Sequence, residues 1–239
     1  SFTGSTAAGA AIMENIARTG VKPVTLELGG KSPPGVFADA DLDLAARCIA
    51  GSIMFNGGQA CVAGTRILVP ASRKAEIESA LAQAVAAVKS GDPRHPDTEI
   101  GPMVSEKQWL RVQGYIRKGI DEGAALLLGG TGLPEGLERG YFVRPTVFSN
   151  VRNDMTIAKE EIFGPVLSVI PYDDEEDAIA IANDTIYGLH AYVFSGDVAR
   201  ANRVARRIEA GRVFINGLYD EPMAPFGGFK QSGLGREFG

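Results

Sequence analysis

Short apolar runs alternate with longer amphipathic stretches through most of the 239-residue chain. The apolar runs have the length and residue types of buried strands, whereas the amphipathic stretches repeat their apolar residues at helical spacing. The predicted strands are 24–28, 65–69, 124–128, 166–172, 190–194 and 212–216, and the predicted helices are 42–55, 72–89, 105–121, 175–183 and 197–210. This alternation predicts a layered α/β architecture with a largely parallel sheet.

The first residues predict a polar turn that enters a helix with no strand before it. Ser5 lies at the expected N-cap, with Gly4 and Gly9 on either side. The helix should run to about Arg18 and end at Gly20. Free N–H groups and the helix dipole favour a phosphate at such an N-terminus, although an ordinary N-cap explains the same residues.

Charge and composition narrow the class of partner. The formal net charge is −5 and no basic run occurs, so we expect neither nucleic acid nor a membrane surface as a partner. We expect a cytoplasmic protein, because no apolar run reaches the roughly 20 residues that span a bilayer and no secretory signal opens the chain. Two cysteines without C-x-x-C spacing and two distant histidines, His95 and His190, argue against a disulfide framework and a metal site.

Two stretches carry candidate chemistry. Cys61 ends the glycine-rich turn N-G-G-Q-A-C at 56–61, and Glu27 lies near the start of L-E-L-G-G-K-S-P at 26–33. A cysteine acts as a nucleophile in its thiolate form, which backbone N–H groups aimed at the sulfur stabilise. A carboxylate beside a dry pocket can take a proton from water if its pKa is raised. Either residue alone also has an ordinary structural explanation.

Two more glycine-containing loops follow, with the sequences E-E-I-F-G-P at 160–165 and P-F-G-G to G-R-E at 225–237. Together with 26–33 and 58–61 they resemble the aldehyde dehydrogenase superfamily in order, spacing and residue type. The resemblance extends from Phe2 to the end of the chain.

The resemblance implies a three-layer α/β/α catalytic domain with a largely parallel sheet, plus a remnant of a Rossmann-like cofactor domain. By this comparison, residues 1–29 are the end of the NAD(P)-binding domain, 30–229 the catalytic domain, and 230–239 a segment returning towards the cofactor domain. We then expect the chain to cover about the back half of a family member, starting inside the cofactor domain and stopping before the last strand through which subunits associate.

The resemblance also implies roles for individual residues. Cys61 would attack the aldehyde carbonyl, and Glu27 would activate the water that hydrolyses the resulting thioester. Phe226 would line the aldehyde tunnel, with 218–223 as its variable part, and no metal is expected. The implied cofactor-binding residues are Gly4, Ser5, Gly9, Leu28, Gly29, Glu161 and Phe163. Among these, Ser5 would contact the pyrophosphate, Glu161 the nicotinamide ribose, and Phe163 would pack near the nicotinamide.

Oxidation of a small aldehyde with NAD or NADP is therefore the predicted function, in an intact protein expected to be a homodimer or homotetramer. Two alternatives stay open. Members of the superfamily that pass the thioester to coenzyme A generally lack the carboxylate at Glu27, so a coenzyme A-acylating enzyme is the weaker of them. The other is a non-catalytic fragment or scaffold with at most thiol esterase activity.

Overall fold

A computed structural model of the chain describes residues 1–219 and 221–238. The predicted variable loop 218–223 and the predicted return segment 230–239 each include one residue, Asp220 and Gly239 respectively, that lies outside the described residues. Within them the strands are β1 (Phe2–Thr3), β2 (Leu26–Glu27), β3 (Pro34–Val36), β4 (Arg66–Pro70), β5 (Ala125–Leu128), β6 (Thr146–Ser149), β7 (Val166–Tyr172), β8 (Tyr187–Gly188), β9 (His190–Phe194), β10 (Arg212–Ile215), β11 (Phe229–Lys230) and β12 (Gly233–Leu234).

The helices of the described chain are α1 (Thr6–Thr19), α2 (Leu42–Met54), α3 (Lys74–Ala86), α4 (Glu106–Asp121), α5 (Thr156–Lys159), α6 (Glu175–Asn183) and α7 (Val198–Ala205). Their starts follow from local sequence, because short polar side chains accept hydrogen bonds from otherwise free N–H groups of the first turn. The residues that cap helices in this way are Ser5, Asp41, Ser105, Asp174 and Asp197.

The main sheet explains the alternating pattern of the sequence. Among the described residues it has seven strands in the order β10-β9-β3-β4-β7-β6-β5, all parallel to their neighbours except the edge strand β5. In β4, Ile67 and Val69 pack into one hydrophobic cluster with α2 and α3, whereas Leu68 packs into the cluster on the opposite face with α4 and α6. The predicted three-layer α/β/α fold with a largely parallel sheet is confirmed.

A second, small sheet joins the two ends of the chain. It has the order β1-β2-β12 within the described residues, with β1 parallel and β12 antiparallel to β2. The prediction of no strand before α1 is therefore wrong. Two residues are too few to show a strand period, and Phe2–Thr3 becomes a strand only because β2 pairs with it. Glu27 consequently lies in the central strand of this sheet.

The structure also has strands β3, β6, β8 and β11 and helix α5, none of which was predicted, and β3 begins at Pro34, where the sequence indicates a turn. The elements that were predicted differ from the structure at their ends. Helix α3 ends at Ala86 instead of residue 89, and α7 ends at Ala205 instead of residue 210. By contrast, β7, α6 and β9 have the predicted bounds. Helix ends depend on capping contacts, which hydrophobic period does not encode.

Arg66 leads to a stability prediction. Its guanidinium is fully buried and donates to the carbonyl oxygens of Ile181 (2.9 Å) and Ala182 (2.7 Å) near the end of α6. We expect Arg66→Met to lower the free energy of unfolding by about 3 kcal/mol, because a buried and a part-buried carbonyl oxygen lose a charged donor. Denaturant unfolding measures the change. Exposed Arg18→Met is the control, with an expected change below about 0.5 kcal/mol, and an equally small loss for Arg66→Met would contradict the prediction.

Candidate active site

The Cys61 turn and the segment after β2 are in direct backbone contact. A Cβ atom at Gly30 would overlap the carbonyl oxygen of Cys61, so only glycine allows this approach. The turn itself reverses through Asn56 and Gly57, both in the left-handed region with φ of 53° and 62°. The glycines of these two motifs therefore set how closely the thiol segment packs against the strand that carries Glu27.

Glu161 connects the third motif to the same place. Its Oε1 accepts a hydrogen bond from the Gly30 N–H (3.0 Å), and a Cβ atom at Gly29 would lie only 2.6 Å from its Oε2. On the other side, Arg111 of α4 donates to the Glu161 carbonyl oxygen (2.8 Å). Glu161 is thus held through its side chain by the glycine pair after β2 and through its backbone by helix α4.

The fourth motif reaches the site from the end of the described chain. Gly233 of β12 is paired with Glu27 of β2. Further along, the backbones of Phe226 and Glu237 exchange hydrogen bonds of 2.7 and 2.8 Å. Sequence segments that are up to two hundred residues apart therefore meet around one strand.

A cleft of about 750 Å³ contains Cys61. Eight of the predicted site residues line it: Gly4, Ser5, Leu28, Gly29, Cys61, Glu161, Phe163 and Phe226. Two do not. Gly9 lies behind the wall, where a Cβ atom would be 2.8 Å from the Leu28 side chain, and Glu27 is buried beside the cleft without lining it.

The cleft also contains residues that sequence reasoning missed. Lys107, Gln108 and Arg111 on α4 line it. Gln108 donates to the carbonyl oxygens of Ile162 (3.1 Å) and Phe163 (2.7 Å), and so holds the loop in which Phe163 has a φ of 62°. The sequence shows a polar face on this helix, but not that the face packs on the Glu161 loop.

A second cavity of about 410 Å³ adjoins the cleft. The two share Phe55, Ala60, Val62 and Phe226, which include both neighbours of Cys61 in the chain. Leu218 and Tyr219, from the loop predicted to vary, line this cavity.

The thiol is protonated at neutral pH. Burial, followed by the negative charges of Glu161 and Glu27, raises the pKa of Cys61 to about 11. The backbone N–H groups of Cys61 and Val62 lower the pKa of the thiol, but burial outweighs them. Removal of the thiol proton therefore has to be assisted.

Glu27 has the properties of a base. Burial raises the pKa of its carboxyl group to about 6; the charge of Glu237 also raises it, and Arg236 lowers it. Neither carboxylate oxygen has a hydrogen-bond partner within residues 1–219 and 221–238. A carboxylate of this pKa is ionised at neutral pH and accepts a proton more readily than an ordinary glutamate.

The charge of Glu161 can be tested through the thiol. We expect Glu161→Gln to speed iodoacetamide alkylation of Cys61 by about tenfold at about pH 8, because loss of a nearby negative charge lowers the thiol pKa. Peptide mapping by mass spectrometry separates Cys61 from Cys48. Glu160→Gln is the matched control, since that carboxylate accepts from Tyr115 (2.6 Å) and is not among the groups that shift Cys61. If Glu161→Gln left the alkylation rate of Cys61 unchanged or slowed it, the charge of Glu161 would not be what raises the thiol pKa.

The fold and this cleft define an α/β protein with a cysteine-centred site. The sequence pattern of the Aldehyde dehydrogenase family matches residues 1–239. The chain belongs to the aldehyde dehydrogenase family, as the resemblance predicted. No helix in the described part of the chain is long and apolar enough to cross a membrane.

Individual relatives agree with this assignment. A Staphylococcus saprophyticus protein assigned to the aldehyde dehydrogenases is 56% identical over 239 residues, which are all of this chain and 50% of that protein. The Mycobacterium tuberculosis aldehyde dehydrogenase complexed with NAD+ is 52% identical, with a TM-score of 0.96 over 100% of this chain and 49% of that one. A C291A mutant of aldehyde dehydrogenase C from Pseudomonas syringae, complexed with NAD+ and octanal, is 50% identical. Its TM-score is 0.96, and the match covers 99% of this chain and 49% of that one. This chain spans about half the length of these relatives.

Proposed function

We propose that this protein oxidises an aldehyde to a carboxylic acid with NAD or NADP, through a covalent intermediate on Cys61. The observation that carries the proposal is the meeting of all four sequence motifs at one cleft, with the thiol in its wall. Family membership and the NAD+ bound to the M. tuberculosis and P. syringae relatives support it.

The residues of the cleft fit a dinucleotide. Gly4 and Ser5 line it at the N-terminus of α1, where the helix dipole favours a phosphate. The Glu161 carboxylate can accept hydrogen bonds from ribose hydroxyls, and Phe163 offers a ring beside it. When bound, the nicotinamide supplies the hydride acceptor.

The first chemical task belongs to Cys61. Its thiol loses its proton to a water molecule in the open cleft, the sulfur forms a bond to the aldehyde carbon, and the carbonyl electron pair moves to oxygen. The backbone N–H groups of Cys61 and Val62, which lower the pKa of the thiol, stabilise the thiolate. Loss of hydride from the tetrahedral carbon leaves a thioester on Cys61.

The second task belongs to Glu27. It takes a proton from water, the hydroxide oxygen bonds to the thioester carbon, and the carbon–sulfur bond breaks to release the acid and the thiolate. Because Glu27 lies beside the cleft and not in its wall, it acts through a water molecule. This role favours hydrolysis over transfer to coenzyme A.

The arrangement of the small sheet supports the proposed division into residues 1–29, 30–229 and 230–239. Strands β1 and β2 belong to the first segment, and β12 in the last segment pairs with β2. A homodimer or homotetramer, and a cytoplasmic location, remain part of the same proposal.

The proposal is tested by supplying the purified whole protein with aldehydes and NAD or NADP and following reduced cofactor. Thioester formation on Cys61 is read by mass spectrometry after acid quench. Ester hydrolysis with neither cofactor reduction nor acyl transfer to coenzyme A would favour the scaffold alternative. Acyl-coenzyme A formation faster than acid release would favour the acylating alternative.

The acid limb of the pH–rate profile tests how neighbouring charges set the pKa of Glu27. Activity should fall as the pH drops through about 6, because Glu27 then becomes protonated. We expect Glu237→Gln to shift this limb to lower pH, since it removes a charge that raises the Glu27 pKa. Arg236→Gln should shift it the opposite way. Steady-state rates measured across the pH range give the position of the acid limb for each variant. A shift of both variants in the same direction would contradict the opposite effects of Glu237 and Arg236 on the Glu27 pKa.

A further inference from the structure

We infer that the cavity beside Cys61 selects an uncharged, apolar aldehyde with a ring or chain of about six to eight carbons, and rejects charged aldehydes. The inference rests on the proposed function, because it concerns the part of the substrate that extends away from the reacting carbon. It names the substrate class that the described cavity walls admit.

The position of the cavity makes it the space for that part of the substrate. It shares Ala60 and Val62 with the cleft, and these residues flank Cys61. Phe55 and Phe226 complete the shared boundary. An aldehyde whose carbon is bonded to the Cys61 sulfur can therefore extend into the cavity while its oxygen stays in the cleft.

The hydroxyl groups that line the cavity already donate their protons to backbone carbonyl oxygens. Ser52 donates to the Ile49 carbonyl oxygen (2.7 Å). Tyr192 donates to the Val62 carbonyl oxygen (2.8 Å), and Tyr219 to that of Ile215 (3.0 Å). No aspartate, glutamate, lysine or arginine lines the cavity among the residues described. Against this described lining, a charged substituent would lose its hydration without gaining an oppositely charged side chain.

Several aromatic rings of the cavity wall pack against one another instead of standing apart around an empty centre. Tyr192 and Phe214 are stacked at 5.6 Å with 21° between their planes, so each covers one face of the other. His190 packs against Phe214 and Phe226, each at 5.2 Å. The Arg212 guanidinium lies 5.1 Å from the centre of the Phe226 ring, so a cation already occupies a position over that ring.

The cavity is large enough for a substituent of the proposed size. An engineered apolar cavity of about 150 Å³ holds a benzene molecule. The cavity here is about 410 Å³. It therefore admits a phenyl ring or a medium aliphatic chain with room to spare.

The first experiment compares kcat/KM of the whole protein for hexanal and benzaldehyde with kcat/KM for betaine aldehyde and succinic semialdehyde. We expect the two uncharged aldehydes to be favoured by about 100-fold or more. A charged aldehyde used within about threefold of hexanal would overturn the inference while leaving the proposed function intact. Failure with every aldehyde would instead count against the proposed function.

A matched pair of variants tests the cavity wall directly. Leu218 is 40% exposed and lines the cavity, so polar replacements there do not disturb the core. We expect Leu218→Asp to raise the ratio of betaine aldehyde to hexanal kcat/KM by about tenfold, because it adds a partner for the cation. Leu218→Asn, of the same shape without the charge, should not raise it. Equal ratios in the two variants would overturn the inference.

Protection of Cys61 from alkylation measures which ligands bind in the cavity and does not depend on enzyme turnover. Hexanamide and choline are tested for slowing iodoacetamide alkylation of Cys61 in the wild-type protein. Hexanamide should protect the thiol at concentrations at which choline does not. Protection by choline alone, or by neither compound, would overturn the inference even if aldehydes are oxidised.

Discussion

Replacing Cys61 by serine is expected to abolish aldehyde oxidation, with kcat falling by about 10⁴-fold or more. A serine hydroxyl ionises far less readily than a thiol, and the burial and two carboxylates that already raise the Cys61 pKa to about 11 would oppose an alkoxide more strongly. An oxygen ester is also a poorer intermediate for hydrolysis than a thioester. The measurement is steady-state cofactor reduction, with a hydride burst sought by rapid mixing.

Cys48→Ser is the control for this variant. Cys48 lies on α2, partly buried against the cluster on that face of the main sheet. Its replacement should leave kcat within about twofold, because the residue lies outside both cavities. A Cys61→Ser protein with a substantial steady-state rate would contradict the covalent mechanism.

Replacing Glu27 by glutamine is expected to separate the two halves of the reaction. One equivalent of cofactor should be reduced per site in a rapid burst, after which steady-state turnover should fall by about 10³-fold. The amide keeps the shape of the side chain but cannot take a proton from water. It also removes a negative charge that raises the Cys61 pKa, so thioester formation should not slow.

Mass spectrometry of the stalled Glu27→Gln protein should show an acyl group on Cys61, released by added hydroxylamine. Glu160→Gln, on the far side of the Glu161 loop, should show neither stall nor adduct, since its carboxylate is engaged with Tyr115. An undiminished steady-state rate for Glu27→Gln would rule out its role in hydrolysis.

The raised thiol pKa adds a requirement to the mechanism that residue types alone do not reveal. At pH 7, a thiol of pKa about 11 is ionised in roughly one molecule in 10⁴. Any group that neutralises Glu161 lowers this pKa, and the alkylation of Glu161→Gln measures by how much. The negative charge of Glu161 therefore disfavours the Cys61 thiolate as long as no positive group compensates it.

Much of the fold was predictable because its signals are local. Strand β7 and helix α6 have the bounds that apolar runs and capping residues predict. Ser5 is the N-cap of α1, with its hydroxyl accepting from the Ala8 N–H at 3.2 Å. Strands β1 and β12 were not predictable in this way, since each has two residues and exists only through pairing with β2.

The sequence alone was enough to name the α/β layers, the family, and Cys61 and Glu27 as the candidate pair, since these depend on periods and residue order within short segments. Tertiary structure decided the rest. It buried Glu27 beside the cleft and not in its wall, brought Arg236 and Glu237 to it, and turned Gln108 towards the Phe163 loop. It also engaged the cavity hydroxyls of Ser52, Tyr192 and Tyr219 with backbone carbonyls. Burial, pKa and the supply of free hydrogen-bond partners depend on contacts between distant segments, and those contacts exist only once the chain has folded.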